Sequence, residues 1–209
     1  MLRKSEYASE EIQSIYFGGG TPTVLEVSEL DAILQTVYEH YNVSDTPEIT
    51  LEANPDDLGT EKIKALSQTK INRLSIGIQS FHESDLTAMN RAHNADEAKK
   101  CLEIATTYFD NITIDLMFGM PTMSVALWRQ NLQTAFGFGI KHLSCYALTV
   151  EPKTALEHFI NKGSHPPMDD ELAAKHFEVL LQETATQGLT HYETCSFGHP
   201  DYFSRHNTS

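Results

Sequence analysis

Basic residues are scarce in this 209-residue chain: 15 lysines and arginines face 29 aspartates and glutamates, giving a formal net charge of −14 and a pI near 5.0. A phosphate backbone needs a concentrated positive surface, and no local Lys/Arg cluster supplies one, so nucleic acid is excluded as a partner. Long apolar runs are missing too. The longest are of strand length, well short of the roughly 20 residues that span a bilayer. The polar start Met1-Leu2-Arg3-Lys4-Ser5 has no apolar stretch behind it. Together these absences predict a soluble, cytoplasmic chain with no transmembrane segment. Cysteine occurs only three times, at Cys101, Cys145 and Cys195, with no short-range pair, which excludes a disulfide framework and a zinc knuckle. Cys101 shares an apolar helix face with Ala98, Leu102 and Ala105, and Cys145 falls on an outward strand face, so both read as buried structural thiols. The spacing Cys195-x3-His199-x6-His206 is loose for a metal site, and its Gly, Pro and Asp content reads more simply as a loop.

What is present is a period of two. Strand signals recur at Ser14–Phe17, Glu48–Glu52, Arg73–Gln79, Asn111–Met117, His142–Thr149 and His191–Phe197. Helix-length stretches separate them, so the sheet is expected to be parallel. Parallel strands are normally apolar on both faces, yet here one face is polar. Helices packed outside would take Ile49, Leu51, Ile76, Ile78, Ile112 and Ile114. Thr50, Glu52, Ser75, Gln79, Thr113 and Asp115 are left to line an interior that reads as a ligand chamber and not a packed core.

The helices announce themselves by caps and by i, i+3, i+4, i+7 spacing. Ser28 precedes Leu30, Ile33, Leu34, Val37, Tyr38 and Tyr41. Asn94 with Glu97 opens a helix carrying Ala98, Cys101, Leu102 and Ala105. Ser124 opens one with Leu127, Leu132, Ala135 and Phe136, ended by Gly137 and Gly139. The longest follows Pro166-Pro167, carries Leu172, His176, Phe177, Leu180 and Leu181, and stops at Gly188; helical His176 reads as a core histidine. Serial β/α alternation with right-handed crossovers gives either a barrel or a doubly wound sheet, in one domain. Met1 enters what reads as the tail of a helix, and Ser204–Ser209 shows no capping helix, so the chain reads as cut at both ends. An uncovered first strand predicts a tendency to self-associate.

Chemistry concentrates at strand ends. Tyr16-Phe17 runs into Gly18-Gly19-Gly20-Thr21-Pro22-Thr23, a loop whose backbone can approach a carboxylate, amine-bearing or phosphate ligand closely. It matches neither GxGxxG nor GxxxxGK[ST], so nucleotide triphosphate binding of those kinds is not expected. Glu52, Gln79 and Asp115 each fall at the C-terminal end of a strand, the rim where parallel β/α folds hold their sites. Asp115, flanked by Ile114 and Leu116, needs a partner such as a ligand hydroxyl, an amine or Arg91.

Tyr16–Thr23, Glu52-Ala53-Asn54-Pro55, Arg73–Phe81, Asn90-Arg91-Ala92-His93 and Ile114–Pro121, in this order, resemble the radical S-adenosylmethionine (SAM) family of oxygen-independent coproporphyrinogen III oxidases and HemW-type heme chaperones. The resemblance covers essentially the whole chain. It implies an α/β fold, a partial (β/α)6 radical SAM barrel missing its first strand, spanning residues 1–209, with about 191–209 beginning the connection to a C-terminal region. It also implies SAM held against a 4Fe-4S cluster. By motif position, Gly19, Gly20 and Thr21 would meet the methionine moiety of SAM with Glu52 close by, and Gln79, Arg91, Asp115 and Ala147 are further SAM contacts. The family's CxxxCxxC cluster motif has no counterpart here, and none of the three cysteines can substitute, so this chain alone is expected to be inactive in SAM cleavage. Arg205-His206-Asn207 resembles the start of the HNxxYW signature of the heme chaperones, which makes His206 a contributor to heme binding. The resemblance therefore favours a fragment of a heme chaperone that binds SAM and heme and serves a heme-accepting protein. The alternatives are a porphyrinogen-binding oxidase and a cluster-less ligand-binding module.

Overall fold

The computed structural model describes residues 7, 9–163 and 165–208. The polar start and the helix tail expected at Met1 lie outside the described residues. In chain order the elements are β1 (Glu11–Phe17), α1 (Val27–His40), β2 (Asn42–Ala53), α2 (Thr60–Leu66), β3 (Arg73–Gln79), α3 (Glu83–Ala88), α4 (Ala95–Tyr108), β4 (Asn111–Phe118), α5 (Val125–Gly137), β5 (His142–Ala147), α6 (Ala155–Asn161), α7 (Asp170–Thr186), β6 (Thr190–Glu193), β7 (Ser196–Gly198) and α8 (Arg205–Thr208). All seven strands form one sheet in the order β1-β2-β3-β4-β5-β7-β6, curled into a half-barrel.

The first five strands pair in parallel and in sequence order, as their helical crossovers require. The expectation of a wholly parallel sheet fails at the far edge. The stretch expected as one strand, His191–Phe197, breaks at Thr194-Cys195 into β6 and β7, which pair antiparallel with each other and with β5. The break has a local cause: Glu193 turns its carboxylate back onto the Cys195 N–H and the Ser196 hydroxyl, 3.2 and 3.0 Å away, which closes a hairpin. β5 ends at Ala147, two residues before the expected limit.

The outer face is the apolar one. Ile49, Leu51, Leu74, Ile76, Ile78, Ile112, Ile114 and Leu116 are all buried beneath Leu30 and Leu34 of α1, Ile63 and Leu66 of α2, and Ala98, Cys101, Leu102 and Ala105 of α4. Each such leucine or isoleucine contributes about 2 kcal/mol. Asn94 caps α4 through the Asp96 and Glu97 N–H groups, and Ser124 caps α5 through the Leu127 N–H, as expected. The Ser28 cap is corrected to Glu26, which forms a reciprocal capping box with Glu29; Ser28 sits inside α1. The short helices α2, α3 and α6 escape sequence periodicity because fewer than two full turns carry too few apolar positions to show a stripe.

The inner face is polar and, at its base, linked by hydrogen bonds across the curl. Arg73, 2% exposed, sits beside Glu48 and donates to Thr113. The Thr113 hydroxyl meets His142 Nδ1 at 2.9 Å, and His142 Nε2 meets the Tyr192 hydroxyl at 2.7 Å. Burial first, and the Arg73 charge second, push His142 down to about 3, so its ring stays neutral and can accept on one nitrogen while donating on the other. The end of the chain then folds back into the curl. Glu48 accepts the Arg205 N–H at 3.0 Å, Tyr192 accepts the Ser204 N–H at 3.0 Å, and Asn207 donates to Ser196 of β7 at 3.1 Å. Contrary to expectation this segment carries a helix, α8, which packs against β1.

Removing Glu48 would leave Arg73 buried without its counter-charge and free the 204–206 segment. Glu48→Ala is expected to lower the unfolding free energy by about 3 kcal/mol in urea denaturation. The apolar pair Glu48→Leu with Arg73→Met is expected to recover most of that loss.

Candidate functional site

The C-terminal ends of β2, β3 and β4 converge on a cavity of about 100 Å³ lined by Gly20, Thr21, Pro22, Glu52, Asn54, Ser75, Gly77, Gln79, Arg91 and Asp115. Six of the eight cofactor positions expected from sequence therefore share one cavity. Gly19 reaches it through its backbone, donating to Glu52 Oε2 at 3.0 Å. Ala147 does not line this cavity. It ends β5 opposite Phe118 and is exposed, while its neighbour Leu148 lines an adjoining cleft. His206 stacks on Tyr16 with ring centroids 4.3 Å apart, and lies in neither set of lining residues.

The loop after β1 is shaped by backbone. Gly19 and Gly20 have φ of +79° and +66°, and a Cβ at either would meet nothing within 4 Å, so the loop presents an open, side-chain-free surface. Glu52 is held at both oxygens, by the Gly19 N–H and by the Tyr16 hydroxyl at 2.7 Å. Gln79 carries a left-handed φ of +66° where the β3–β4 register slips, a conformation that costs roughly 1 kcal/mol or more outside glycine. The following residues clamp it: Ser80 Oγ donates to Asp85 at 2.7 Å, and Asn131 accepts the Phe81 N–H at 2.7 Å. Arg91 lies in a loop and not on a helix. Its Nη2 donates to Asn54 Oδ1 at 2.7 Å and to the Gly77 carbonyl at 3.3 Å, while its buried Nε has no partner. That orphaned donor is what an anionic ligand group would satisfy.

Asp115 is the electrostatic centre. Burial, then the nearby negative charge of Glu52, raise it from 3.8 to about 7, against the opposing pull of the Ser144 hydroxyl and the Arg73 and Arg91 charges. The group is thus half protonated near neutrality and can offer or accept a hydrogen bond to a ligand hydroxyl. Beyond Gln79 and Arg91 opens a second cleft of about 460 Å³, walled by Met89, Met117, Met120, Leu148, Leu156 and Phe159, with His165 at its margin. Flexible thioethers and aromatic edges suit a large apolar ligand.

Sequence reasoning missed Tyr16, Asn54, Arg73 and Ser144. Tyr16 and Arg73 were findable by parity, since they share their strands' inward alternation with Ser14 and Ser75. Ser144 follows by parity too, as the inward neighbour of outward Cys145, whereas Asn54 shows only in three dimensions. His176 is a core residue as expected, fully buried with Nδ1 accepting the Gly119 N–H at 3.0 Å.

A 4Fe-4S cluster needs converging thiolates, and this chain does not offer them. Cys101 is buried on α4, and buried Cys145 adjoins Cys195, whose carbonyl accepts the Cys145 N–H at 2.8 Å; two neighbouring thiols do not make the three ligands the cluster takes. Burial pushes the Cys101 thiol up to about 12 and Cys145 well above the ordinary value, opposite to the direction ligation requires. Among the described residues no three His, Cys, Asp or Glu side chains converge as a metal site, and no helix is long and apolar enough to cross a membrane. SAM is a different matter. Its α-amino and carboxylate groups and its ribose hydroxyls match the Glu52 carboxylate, the free Arg91 Nε and Asp115, beside an open glycine surface.

Fold and site together define a β/α half-barrel with a polar ligand cavity at the strand C-termini. Comparison with known proteins sharpens this class: residues 1–135 match the family described as the Radical SAM superfamily, and the chain belongs to it. It is similar to the heme chaperone HemW of Bacillus subtilis, 35% identical over 201 residues, covering 94% of this chain and 52% of that protein. It is similar also to the mouse protein named radical S-adenosyl methionine domain-containing protein 1, mitochondrial, 33% identical and covering 95% of this chain and 45% of that protein. Among solved structures, the coproporphyrinogen III oxidase HemN of Escherichia coli, described as a radical SAM enzyme, superposes with a TM-score of 0.82 at 21% identity, over 95% of this chain and 46% of that one. The chain thus spans about half the length of the curated relatives it matches.

A carboxyl whose folded pKa lies above its unfolded value holds a proton the unfolded chain has released; the stability this gives is complete below about pH 4 and is lost as pH rises through about 7. Asp115→Asn cannot ionise. Its melting temperature is therefore expected to gain on wild type as pH climbs from 4 to 8, by the equivalent of about 2 kcal/mol after screening at the cavity mouth. A difference that stays flat across that range would contradict the assignment.

Proposed function

We propose that this chain is the SAM-binding part of a HemW-like heme chaperone. The observation that carries the reading is the convergence of Gly20, Thr21, Glu52, Gln79, Arg91 and Asp115 on one cavity at the strand C-termini. The identity of a third or more to a heme chaperone gives the direction of the wider function. In this reading the glycine loop and Glu52 hold the methionine moiety of SAM. The free Nε of Arg91 takes its carboxylate, and Asp115 with Gln79 meets the ribose. SAM bound in this superfamily supplies radical chemistry once a cluster delivers an electron; no step here is assigned to a cluster, because this chain's residues do not ligate one.

The cargo is heme, taken up in the cytoplasm and passed to an acceptor protein. The methionine-walled cleft beside Gln79 and Arg91 is the seat that fits an apolar macrocycle, and it would bring that macrocycle against the SAM cavity. His206, stacked on Tyr16, is the contributor to heme binding that the family signature implies.

Two titrations of the chain test this. Calorimetry with SAM is expected to show one site, weakened about tenfold by Arg91→Ala, the loss that follows when a charge-assisted hydrogen bond is removed. Hemin is expected to give a shifted Soret band that survives Asp115→Asn, a residue of the SAM cavity alone, and is weakened by Met117→Glu. Tight binding of coproporphyrinogen III with no response to hemin would instead favour the oxidase reading. Absence of SAM binding would leave a ligand-binding module of another kind.

A further inference from the structure

Tyr16 touches the site carboxylate and the C-terminal segment at once. Its hydroxyl donates to Glu52 Oε1 at 2.7 Å, and its ring stacks on His206 at 4.3 Å with 23° between the planes. A further contact is with Gly18. A Cβ there would lie 2.6 Å from Tyr16 Cε1 and 3.0 Å from Glu52 Oε1, so only a glycine lets the phenol ring reach the carboxylate. Burial, then the hydrogen bond to Glu52, push the Tyr16 phenol far above its ordinary range, and it serves as a donor at any working pH. His206 is itself placed by Glu48, which accepts the N–H groups of Arg205 and His206 at 3.0 and 3.4 Å.

A carboxylate has two oxygens and about four acceptor positions. Here Tyr16 takes a position on one oxygen and the Gly19 N–H a position on the other, and the remaining acceptor positions are open to a donor in the cavity that Glu52 lines. We propose that Tyr16 is a positioning residue for ligand binding, its ring passing close to Gly18 and stacked on His206 so that its hydroxyl turns the Glu52 carboxylate toward the ammonium of an α-amino acid ligand. The proposal rests on the reading of the cavity as a SAM site. It gives the C-terminal segment a part in ligand selection although no residue of that segment lines the cavity.

The ammonium is the point on which the test turns. SAM and an analogue lacking the α-amino group are titrated calorimetrically into wild type, Tyr16→Phe, His206→Ala and His206→Phe, with thermal melts alongside. Tyr16→Phe keeps the ring and loses only the hydroxyl; it is expected to weaken SAM about tenfold and leave the deaminated analogue unchanged. His206→Ala is expected to weaken SAM severalfold, and His206→Phe, which restores an aromatic partner for the ring, to recover it. Gly18→Ala, which drives the ring away, should reproduce Tyr16→Phe even if the latter folds poorly. The proposal is overturned if Tyr16→Phe binds SAM as wild type does, or if it loses both ligands equally, as a general disruption of the cavity would. Failure of wild type to bind SAM at all would overturn the cavity reading itself, a result distinct from either.

Discussion

A guanidinium enclosed in a half-barrel has to be neutralised where it lies. Arg73 is 2% exposed on the inner face of β3, and the sheet around it is arranged to meet that demand. Glu48 faces it from β2, Thr113 receives it on β4, and His142 and Tyr192 carry the hydrogen bonding onward to β5 and β6. Five neighbouring or near-neighbouring strands, β2 to β6, thus share one polar chain, which ties the register of each to the next. An apolar interior would hold the same strands together at less desolvation cost. The polar interior instead leaves the curl unfilled above its base, and that unfilled space is where the ligand cavity lies.

The same ion pair organises the end of the chain. Glu48 places one oxygen near Arg73 and the other on the backbone N–H groups of residues 205 and 206, so the segment that plugs the curl is anchored by the charge that the sheet must bury anyway. From there α8 reaches β1 through His206 and Tyr16, and β7 through Asn207 and Ser196. The two sides of the open half-barrel are bridged from within. The bridge ends on Glu52, a cavity residue, which makes the base of the barrel and the rim parts of one bonded system.

Most of the sheet is legible because parallel strands with one polar face give a period that survives in sequence: β1 to β5 overlap the stretches alternation places, though β1 and β2 begin earlier, at Glu11 and Asn42, and of the expected inward set Glu52, Ser75, Gln79 and Asp115 line the cavity while Thr113 joins the polar chain at its base. The edge was not legible. His191–Phe197 alternates as a single strand would, and only the reach of the Glu193 side chain back to Cys195 and Ser196 splits it. Short helices left no stripe to read. At the site, the positions at strand ends are visible from the strand pattern, and parity puts Tyr16 and Arg73 on the inner face; their partners Glu52, Glu48 and Thr113 are not visible, since they meet only when strands distant in sequence are brought side by side. Ala147 stands at a strand end outside the cavity, next to Leu148 of the adjoining cleft.

The central claim is that the polar half of the barrel is a SAM site whose amino acid end is fixed by the glycine loop and Glu52. A crystal structure of the chain soaked with SAM tests it most directly. The account predicts density in the cavity bounded by Gly20, Thr21, Glu52 and Asp115, with the ammonium within hydrogen-bond distance of Glu52 and the carboxylate near Arg91 Nε. Density confined to the methionine-walled cleft, or a ligand lying in the cavity with its ammonium turned away from Glu52, would contradict it.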